Sequence, residues 1–378
     1  MIAKKVVINK YNTLDGSRSF FFGFSRWKRG FMQPFFEAEK SEMVFCDTLA
    51  DAIALGFNKG DEAFIWGMKH DYEIVKYCEE KNIHILRVED GFIRSVSLGS
   101  DLTRPYSLVV DSRGIYIDPS KESDLEHILS SFAFDDVVRQ RAKKLIEKMV
   151  SSKFSKYNGF AHKKLSISAK PGQKVILVPA QVEDDASMLY GGMGMDTFGL
   201  IKTVRKQNPS AYILFKPHPD VLSGNRKGLK DRQTILSYCD DVIENASIDS
   251  CLDVCDEVHT ITSTAGFDAL IRNKKVFTYG MPFYAGWGLT NDKHKNQRRN
   301  RKLTLFELVA GALIVYPRYI SPKTKKLCEV EVAFDEMIAL QRRYFEVFWY
   351  KVAIDSKTFV LRKVRRIIEL MLQLTGKR

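Results

Sequence analysis

Residues 174–187 read KVILVPAQVEDDAS, in which an apolar run of strand length passes directly into an acidic loop. Similar runs follow at 211–215 (AYILF), 257–261 (EVHTI) and 275–279 (KVFTY). Helical patterns lie between them at about 195–207, 249–254 and 264–272. Short apolar strands that alternate with helices favour a parallel sheet with helices on its faces. We therefore predict an α/β domain of Rossmann type in this part of the chain.

The first half of the chain repeats this pattern. Strands are predicted at 4–8, 43–46, 62–66, 83–88, 107–110 and 115–118, the last two joined by a turn. Helices are predicted at 47–56, 71–81, about 122–132 and 134–151. Residues 151–173 are rich in Ser, Lys and Gly and have little periodicity, which is typical of a domain linker.

This division predicts two Rossmann-type domains and a helical tail. We place the N-terminal domain at 1–160, the C-terminal domain at 161–330 and further helices at 331–378. The cleft between two such domains is a usual place for a ligand. In the tail, residues 360–374 (VLRKVRRIIELMLQL) have one apolar and one basic face. Such a helix either lies on an anionic membrane or packs across the domains with its basic face in water.

The composition limits the class of protein. With 378 residues, 45% hydrophobic residues and a net charge of +13, a two-domain globular protein with an anionic partner is expected. The six cysteines include no C-x-x-C pair, which predicts reduced, buried thiols instead of a zinc site or disulfides. Neither a signal peptide nor an apolar run of about 18 residues is visible, so we expect a cytoplasmic protein.

Two acidic motifs follow predicted strands. Glu89-Asp90-Gly91 comes after the strand at 83–88, and Glu183-Asp184-Asp185 comes after the strand at 174–178. Ligands of doubly wound sheets bind beyond the carboxyl ends of strands, where an acid can act as a base or hold a hydroxyl. Solvated surface turns are the alternative for both motifs. The glycine-rich stretch 190–196 matches neither an NTPase nor a dinucleotide motif.

Two further motifs suit a phosphate. In FKPHPD (215–220), prolines on both sides of His218 fix the backbone, and Lys216 adds a positive charge. In TSTAG (262–266), hydroxyls lie where a strand turns into a helix, whose N-terminus attracts anions. A structural histidine and an ordinary helix cap are the alternatives.

An aromatic stretch with interspersed glycines, YGMPFYAGWGLT (279–290), precedes a basic run at 295–302. The aromatics suggest a surface on which a sugar or base stacks, and the arginines suit a carboxylate or pyrophosphate. A solvated loop is the alternative for the basic run. Nucleic-acid binding is a further interpretation, although no motif of that class accompanies the charge.

These motifs together resemble the capsule polysaccharide biosynthesis family, and within it one module of the KpsC-type β-Kdo transferases. The resemblance covers about 85–330 and rests on motifs in the same order, at 88–118, 178–187, 215–220, 246–290 and 316–322. It implies a GT-B-like α/β fold, in which two Rossmann-type domains face each other across a cleft and C-terminal helices follow. It further implies a retaining glycosyltransferase that moves Kdo from CMP-Kdo onto a lipid-linked acceptor in the β-Kdo linker of a bacterial capsule.

The resemblance also implies roles for single residues. Asp185 is the expected nucleophile with Asp184 as second choice, Glu89 is the expected base toward the acceptor, and His218 is expected to stabilise the leaving CMP. The residues expected to hold the CMP moiety are Lys216, His218, Pro219, Thr262, Ser263, Thr264 and Gly266. Those expected to contact the sugar or the acceptor are Asp90, Gly91, Arg94, Gln181, Asp184, Tyr284, Trp287, Arg298 and Arg299. No metal or other cofactor is expected, since histidine, lysine and the helix dipole would carry the phosphate charge.

The expected partners are a CMP-sugar, a lipid-linked glycan, the anionic surface of the inner membrane and other capsule assembly proteins, but not nucleic acid. KpsC-type proteins contain two such modules, whereas this chain resembles one. A single linkage type, a separate partner or the addition of only one sugar residue is therefore expected. Two other functions stay open. One is a transferase for another CMP-activated acidic sugar, such as a sialic acid, and the other is a non-catalytic capsule assembly or export component.

Overall fold

The computed structural model of the chain describes residues 18–36, 42–68, 71–95, 104–154, 162–222, 228, 231–352 and 356. The strand predicted at 4–8 and the amphipathic helix predicted at 360–374 lie outside these residues. Within them, strands and helices alternate as an α/β fold requires. No helix of this described part is long and apolar enough to cross a membrane.

The strands are short, and most of them are buried. In chain order they are β1 (Arg18–Phe22), β2 (Glu42–Cys46), β3 (Glu62–Trp66), β4 (His84–Asp90), β5 (Ser107–Asp111), β6 (Val175–Pro179), β7 (Tyr212–Lys216), β8 (Asp241–Val242), β9 (Glu257–Thr260), β10 (Lys275–Thr278), β11 (Asn291–Asp292), β12 (Arg318–Ile320) and β13 (Leu327–Cys328).

The helices connect these strands, and most of the described ones begin at a side-chain cap. In chain order they are α1 (Arg26–Phe36), α2 (Leu49–Ala54), α3 (Tyr72–Lys81), α4 (Asp124–Ser131), α5 (Asp136–Ser151), α6 (Ala186–Gly191), α7 (Thr197–Gln207), α8 (Pro219–Leu222), α9 (Arg232–Leu236), α10 (Ile248–Val254), α11 (Thr264–Ile271), α12 (Leu305–Val309), which continues as a π-helical segment Ala310–Val315, and α13 (Val330–Glu346). Capping boxes, Thr48 with Asp51 and Thr304 with Glu307, start α2 and α12.

The first sheet is mixed, with seven strands among the described residues in the order β13-β12-β5-β4-β3-β1-β2. Strands β2, β1, β3 and β4 are parallel, while β5, β12 and β13 each run antiparallel to their neighbour. Leu108 of β5 pairs with Asp90 of β4, so β5 begins beside the end of β4. The same end of the strands therefore carries three features: the end of β4, the start of β5 and the turn between β12 and β13.

The second sheet is parallel, with six described strands in the order β11-β10-β9-β6-β7-β8. The chain starts at the central strand β6, builds outward through β7 and β8, and then continues on the other side of β6 with β9, β10 and β11. This is the order of doubly wound dinucleotide-binding folds. Its switch point lies between β6 and β9.

The packing follows the two-residue period of the strands. Phe20 and Phe22 pack with the cluster around α2 and α3, whereas Phe21 between them packs with α1 on the opposite face. In β6, Ile176 and Val178 face α7, while Leu177 belongs to a larger apolar cluster. That larger cluster also contains side chains of β5, α5 and α13, so one core joins the two sheets.

One expectation about the first half differs from the structure, and two of its elements were not expected. Residues 115–118 form a turn and not a strand, because Asp111 Oδ1 accepts the N–H groups of Gly114 (2.9 Å) and Asp124 (3.0 Å) and folds the chain back. The strand β1 and the helix α1 were not predicted, since RSFFF and the segment after it show no clear period. The boundaries 1–160, 161–330 and 331–378 stay a prediction, although β12 and β13 pair into the first sheet.

Candidate functional site

The switch point of the second sheet is held by a pair of buried side chains. Gln181 lies in the loop after β6, and Thr262 lies in the loop after β9. Gln181 Nε2 donates to Thr262 Oγ1 (2.8 Å), and the Thr262 N–H donates to Gln181 Oε1 (2.9 Å). The two loops are therefore fixed to each other where doubly wound sheets bind their ligands.

Asp185 is connected to this pair. It is the N-cap of α6, and its Oδ1 accepts from the N–H (3.0 Å) and the hydroxyl (2.8 Å) of Ser187. Thr262 Oγ1 in turn donates to Ser187 Oγ at 3.4 Å. A directed chain of hydrogen bonds thus runs from the Gln181 amide through Thr262 and Ser187 to Asp185, which is exposed. Sequence reasoning missed Ser187, although Asp-x-Ser at a helix start is a recognisable cap pattern.

The three consecutive acids avoid mutual crowding by serving different elements. Glu183 Oε1 accepts the first N–H of α7, from Thr197, at 3.1 Å. Asp185 caps α6, as described above, and Asp184 between them is exposed. The helix dipole at each N-terminus favours these negative charges.

The start of α11 lies next to Thr262. Ser263 is its N-cap and accepts the N–H of Ala265 at 3.2 Å. The Tyr284 hydroxyl donates to the Ser263 carbonyl at 2.5 Å, and a Cβ placed on Gly266 would lie 2.2 Å from that hydroxyl. The close approach of Tyr284 therefore requires glycine at position 266, and the contact of Gly266 with the CMP moiety stays a prediction. Ser263 and Thr264 are half-buried at the helix N-terminus, where the sequence predicted them.

Lys216 and His218 follow β7, the neighbour of β6. Lys216 is 5% exposed and donates to the Glu244 carbonyl at 3.0 Å; burial lowers its pKa. Its ammonium group is thus turned toward that loop. His218 Nδ1 accepts the N–H of Asp220 at 3.1 Å, which leaves Nε2 to carry the proton of a neutral ring. Pro219 is the first residue of α8, a place where its missing N–H costs little.

Glu89 lies near the end of β4 in the first sheet. Its Oε2 lies 3.2 Å from the place of a Cβ on Gly67, at the end of β3. The carbonyl of the next residue, Met68, accepts a hydrogen bond from the Tyr190 hydroxyl at 3.3 Å. Tyr190 belongs to α6, the helix that Asp185 caps. The carboxyl ends of both sheets therefore meet at α6.

The neighbours of Glu89 shape its turn. Asp90 Oδ2 accepts from Arg94 Nε at 2.6 Å, and the Arg94 side chain is only 3% exposed. A Cβ on Gly91 would lie 2.3 Å from Ser107 Oγ, so this position admits only glycine. Asp90, Gly91 and Arg94, which were predicted to contact substrate, hold the turn together.

Aromatic rings join the motifs of the two halves. Phe92 directly follows the Glu89-Asp90-Gly91 motif. The centroid of its ring lies 4.2 Å from the ring centroid of Phe283, in the loop after β10. It also lies 4.7 Å from Tyr116 and 6.3 Å from Phe267 of α11. Motifs far apart in sequence are thus brought to one region.

Four residues that were predicted to contact substrate make contacts within the protein, and three of them are buried. Tyr284 and Trp287 are both 0% exposed, so they do not form the predicted stacking surface. The guanidinium groups of Arg298 and Arg299 both bind the carboxylate of Glu126 on α4, with Arg299 Nε at 2.9 Å. Arg299 also donates to the carbonyls of residues 282 and 285 and is buried. These arginines fix the loop after β10 to α4.

The cysteines are reduced, and all but the half-buried Cys328 are buried. Burial raises the pKa of Cys78, Cys239 and Cys255 to about 12, so these thiols are neutral. Within the described ranges, no group of three or more His, Cys, Asp and Glu side chains is arranged to hold a metal ion.

Comparisons with known proteins agree with one another. The profile of the family described as capsule polysaccharide biosynthesis protein matches residues 62–319. The chain is 44% identical over 317 residues to the capsule polysaccharide modification protein LipA of Neisseria meningitidis serogroup A, an alignment that covers 84% of this chain and 45% of LipA. The chain thus spans about half the length of that relative.

Two solved structures share the fold over most of the chain. A β-Kdo 2,7 transferase of KpsC from Thermosulfurimonas dismutans is 37% identical, with a TM-score of 0.72 and coverage of 86% of this chain and all of that one. A β-Kdo 2,4 transferase of the same KpsC is 30% identical, with a TM-score of 0.73 and coverage of 84% and 97%. From its sequence profile and these relatives, the chain belongs to the capsule polysaccharide biosynthesis protein family.

Proposed function

We propose that this protein is a retaining glycosyltransferase that moves Kdo from CMP-Kdo onto a lipid-linked acceptor during capsule biosynthesis. The observation that carries the proposal is the hydrogen-bond chain from Gln181 to Asp185, which presents an exposed carboxylate at the switch point of a parallel sheet. The similarity to two Kdo transferase modules supports the choice of sugar.

The proposed arrangement is that of a GT-B enzyme, with the donor on the second sheet and the acceptor on the first. Contacts between the two carboxyl-terminal edges support it, since Tyr190 bonds to Met68 and Phe92 packs on Phe283. Asp185, His218 and Ser263 follow the adjacent strands β6, β7 and β9, and Glu89 comes from the opposite sheet.

In the first proposed step, an Asp185 oxygen forms a bond to C2 of Kdo while the bond from C2 to the CMP phosphate oxygen breaks. CMP leaves with that electron pair. The N-terminus of α11, with Ser263 and Thr264, stabilises the phosphate charge through its N–H groups and dipole. His218 contributes Nε2–H, which suits a phosphate oxygen.

In the second step, Glu89 takes the proton of an acceptor hydroxyl, whose oxygen attacks C2. The bond from C2 to Asp185 breaks and the carboxylate is restored. Two displacements on opposite faces retain the configuration of the sugar. The Ser187 bonds hold Asp185 Oδ1 in one orientation through both steps, which is the kind of preorganisation that catalysis requires.

The acceptor is proposed to reside in the inner membrane, with the protein at its cytoplasmic face. Exposed aromatic side chains after α13 support a peripheral contact, because Phe348 is 68% and Trp349 is 77% exposed. Aromatic residues of this kind are favoured at membrane interfaces.

The test is intact-mass analysis of the protein after incubation with CMP-Kdo and no acceptor. The wild type should gain the mass of one Kdo residue and release CMP. Asp185→Asn should gain none, whereas Asp184→Asn, with the same change at the adjacent exposed acid, should still form the adduct. If Asp185→Asn forms the adduct and Asp184→Asn does not, the nucleophile is Asp184 instead of Asp185. A parallel incubation with CMP-sialic acid distinguishes the donor.

A further inference from the structure

A basic cluster lies beside the end of β4, where β5 begins and where β12 turns into β13. Arg104 and Tyr106 precede β5, and Lys325 belongs to the turn between β12 and β13. The N–H of Tyr106 donates to the Arg94 carbonyl at 2.9 Å, and the N–H of Ile320 donates to the Tyr106 carbonyl at 2.9 Å. The backbone thus fixes the cluster beside the turn that carries Glu89.

Arg104 is held without an acceptor for its Nε–H. Its guanidinium lies 5.8 Å from the ring centroid of Phe31, and its Nε is buried. Among the residues that the structure describes, no acceptor lies within hydrogen-bonding distance of this Nε. Burial lowers the pKa of Arg104, and the nearby Tyr106 opposes that effect. The Nε–H is a buried donor without an acceptor, which is costly. The guanidinium group as a whole is half-buried, so an anion at its accessible side would compensate its charge.

Lys325 places a second positive charge beside the first. Its Nζ donates to the Pro322 carbonyl and lies 5.6 Å from the ring centroid of Tyr106. Partial burial lowers the pKa of Lys325, and repulsion from Arg104 lowers it further. Two cations close enough to repel each other leave a local excess of positive charge.

The acid that acts on Lys325, Glu336, is engaged elsewhere. Its attraction opposes the lowering of the lysine pKa, but its Oε2 accepts hydrogen bonds from Ser321 Oγ (2.7 Å) and the N–H of Lys323 (3.0 Å). Glu336 therefore stabilises the turn that carries Lys325 and leaves the ammonium group available to a ligand.

We propose that Arg104 and Lys325 form a subsite for an oxyanion of the acceptor, either a sugar carboxylate or a phosphodiester. The planar guanidinium suits the two oxygens of such a group, and the ammonium adds a point charge. The donor phosphate is not the ligand, because its proposed site is at the start of α11 in the other sheet. This inference rests on the proposed function, since it assigns a position to that reaction's acceptor.

The test compares Arg104→Gln, Lys325→Gln and the double variant with the wild type. The KM for an anionic acceptor should rise about tenfold or more in each single variant, as expected for the loss of one charge-assisted contact. The KM for CMP-Kdo and the adduct formed without acceptor should not change. Lys326→Gln, an exposed lysine of the same turn, is the matched control and should behave as the wild type. Arg104→Lys should recover part of the lost affinity.

Two synthetic acceptors distinguish the source of the anion. If the ligand is a carboxylate, its methyl ester should raise the wild-type KM, and the Arg104 and Lys325 variants should add nothing further. If the ligand is a phosphodiester, an acceptor without phosphate should raise the wild-type KM, and the two variants should again add nothing further. An unchanged acceptor KM in both single variants overturns the subsite, as does a loss that is equal for charged and neutral acceptors. Absence of the Kdo adduct in the wild type would instead reject the proposed function, and direct calorimetric binding of the charged acceptor to the wild type and variants would still decide on the subsite.

Discussion

Gln181 and Thr262 exchange two hydrogen bonds across the switch point of the second sheet, at 2.8 and 2.9 Å. The two residues are 81 positions apart in sequence, and both are buried. Because Thr262 also donates toward Ser187, which binds Asp185, this pair links the stability of the fold to the orientation of the candidate nucleophile.

Replacing Gln181 by Leu should lower the free energy of unfolding by about 1–3 kcal/mol, because the buried N–H and hydroxyl of Thr262 lose a partner. Urea unfolding measures the change. Gln233→Leu, on the exposed side of α9, is the control and should change stability by no more than about 0.5 kcal/mol. Equal effects of the two substitutions would show that the Gln181 pair contributes nothing specific.

Ser187→Ala should leave the fold intact and slow the reaction. The Asp185 carboxylate keeps the N–H of residue 187 but loses the hydroxyl, so its orientation is less defined. We expect kcat to fall about tenfold, the effect of one lost hydrogen bond of about 1.4 kcal/mol in the transition state, with little change in KM for CMP-Kdo. Steady-state kinetics of CMP release test this. Ser187→Thr, which keeps a hydroxyl, should retain more activity than Ser187→Ala, and the reverse order would argue against the orientation role.

Part of this site could be predicted from the sequence, because strand ends are visible as apolar runs followed by polar residues. The positions of Asp185, His218 and Ser263 after three strands were accessible in that way, and the structure places those strands side by side. Side-chain direction was not accessible. Tyr284 and Trp287 were expected on a surface, yet both are core residues, since a Gly-rich aromatic stretch is compatible with either environment.

Contacts between distant segments could not be predicted from the sequence either. The basic run containing Arg298 and Arg299 has the same composition whether it meets a ligand or Glu126, a residue about 170 positions away. Likewise, β12 and β13 are only three and two residues long, too short for a periodic signal. They enter the first sheet only because β12 pairs with β5 and β13 pairs with β12. In both cases the tertiary partner decides the outcome.

Arg299→Gln should destabilise the protein by about 1–3 kcal/mol. Glu126 and two buried carbonyls then lose donors, while Arg298 still compensates the charge of Glu126. Arg298→Gln, at a side chain that is 39% exposed, should cost no more than about 1 kcal/mol and should leave the KM for CMP-Kdo unchanged. Urea unfolding and donor kinetics measure the two effects. A large rise in donor KM for Arg298→Gln at unchanged stability would restore the substrate-binding role that the sequence suggested.

Protonation of His259 should destabilise the protein in acid. Burial lowers the pKa of this histidine to about 4, although Glu257 opposes the effect. The unfolded chain therefore takes up a proton near pH 6.5 that the native state refuses until about pH 4, and stability is lost as the pH falls through this window. The loss reaches about 3 kcal/mol at the lower end.

His259→Gln keeps a polar group near Tyr279 but cannot titrate, so the difference in unfolding free energy between pH 7 and pH 4.5 should be smaller than in the wild type. Asp111 has the opposite effect, because burial raises its pKa to about 6 and its protonation favours the native state as the pH falls through the same range. Both proteins contain Asp111, so its contribution cancels when the variant is compared with the wild type. His84→Gln, at a side chain that is 56% exposed, is the matched control. A pH dependence that survives unchanged in His259→Gln would exclude this histidine as its cause.

The exposed pair Phe348 and Trp349 should anchor the protein to anionic membranes. Their ring centroids are 5.3 Å apart, so the two side chains form one apolar patch. Arg343 and Lys351 lie nearby in sequence and add positive charge to this apolar area. The double substitution of both aromatics by Ala should weaken binding to phosphatidylglycerol-containing vesicles about tenfold or more, since each buried aromatic contributes about 1.5–3 kcal/mol. Sedimentation with vesicles measures the bound fraction.

Tyr72→Ala provides the control, because Tyr72 is 78% exposed on α3 and lies outside this patch. Neutral phosphatidylcholine vesicles should bind the wild type weakly, since the basic side chains then have no partner charge. Deletion of 355–378 separates the two candidate anchors. If the deletion abolishes binding while the Phe348 and Trp349 substitutions have no effect, the contact belongs to the tail. If the aromatic substitutions alone abolish it, the patch after α13 positions the protein at the membrane that carries its proposed acceptor.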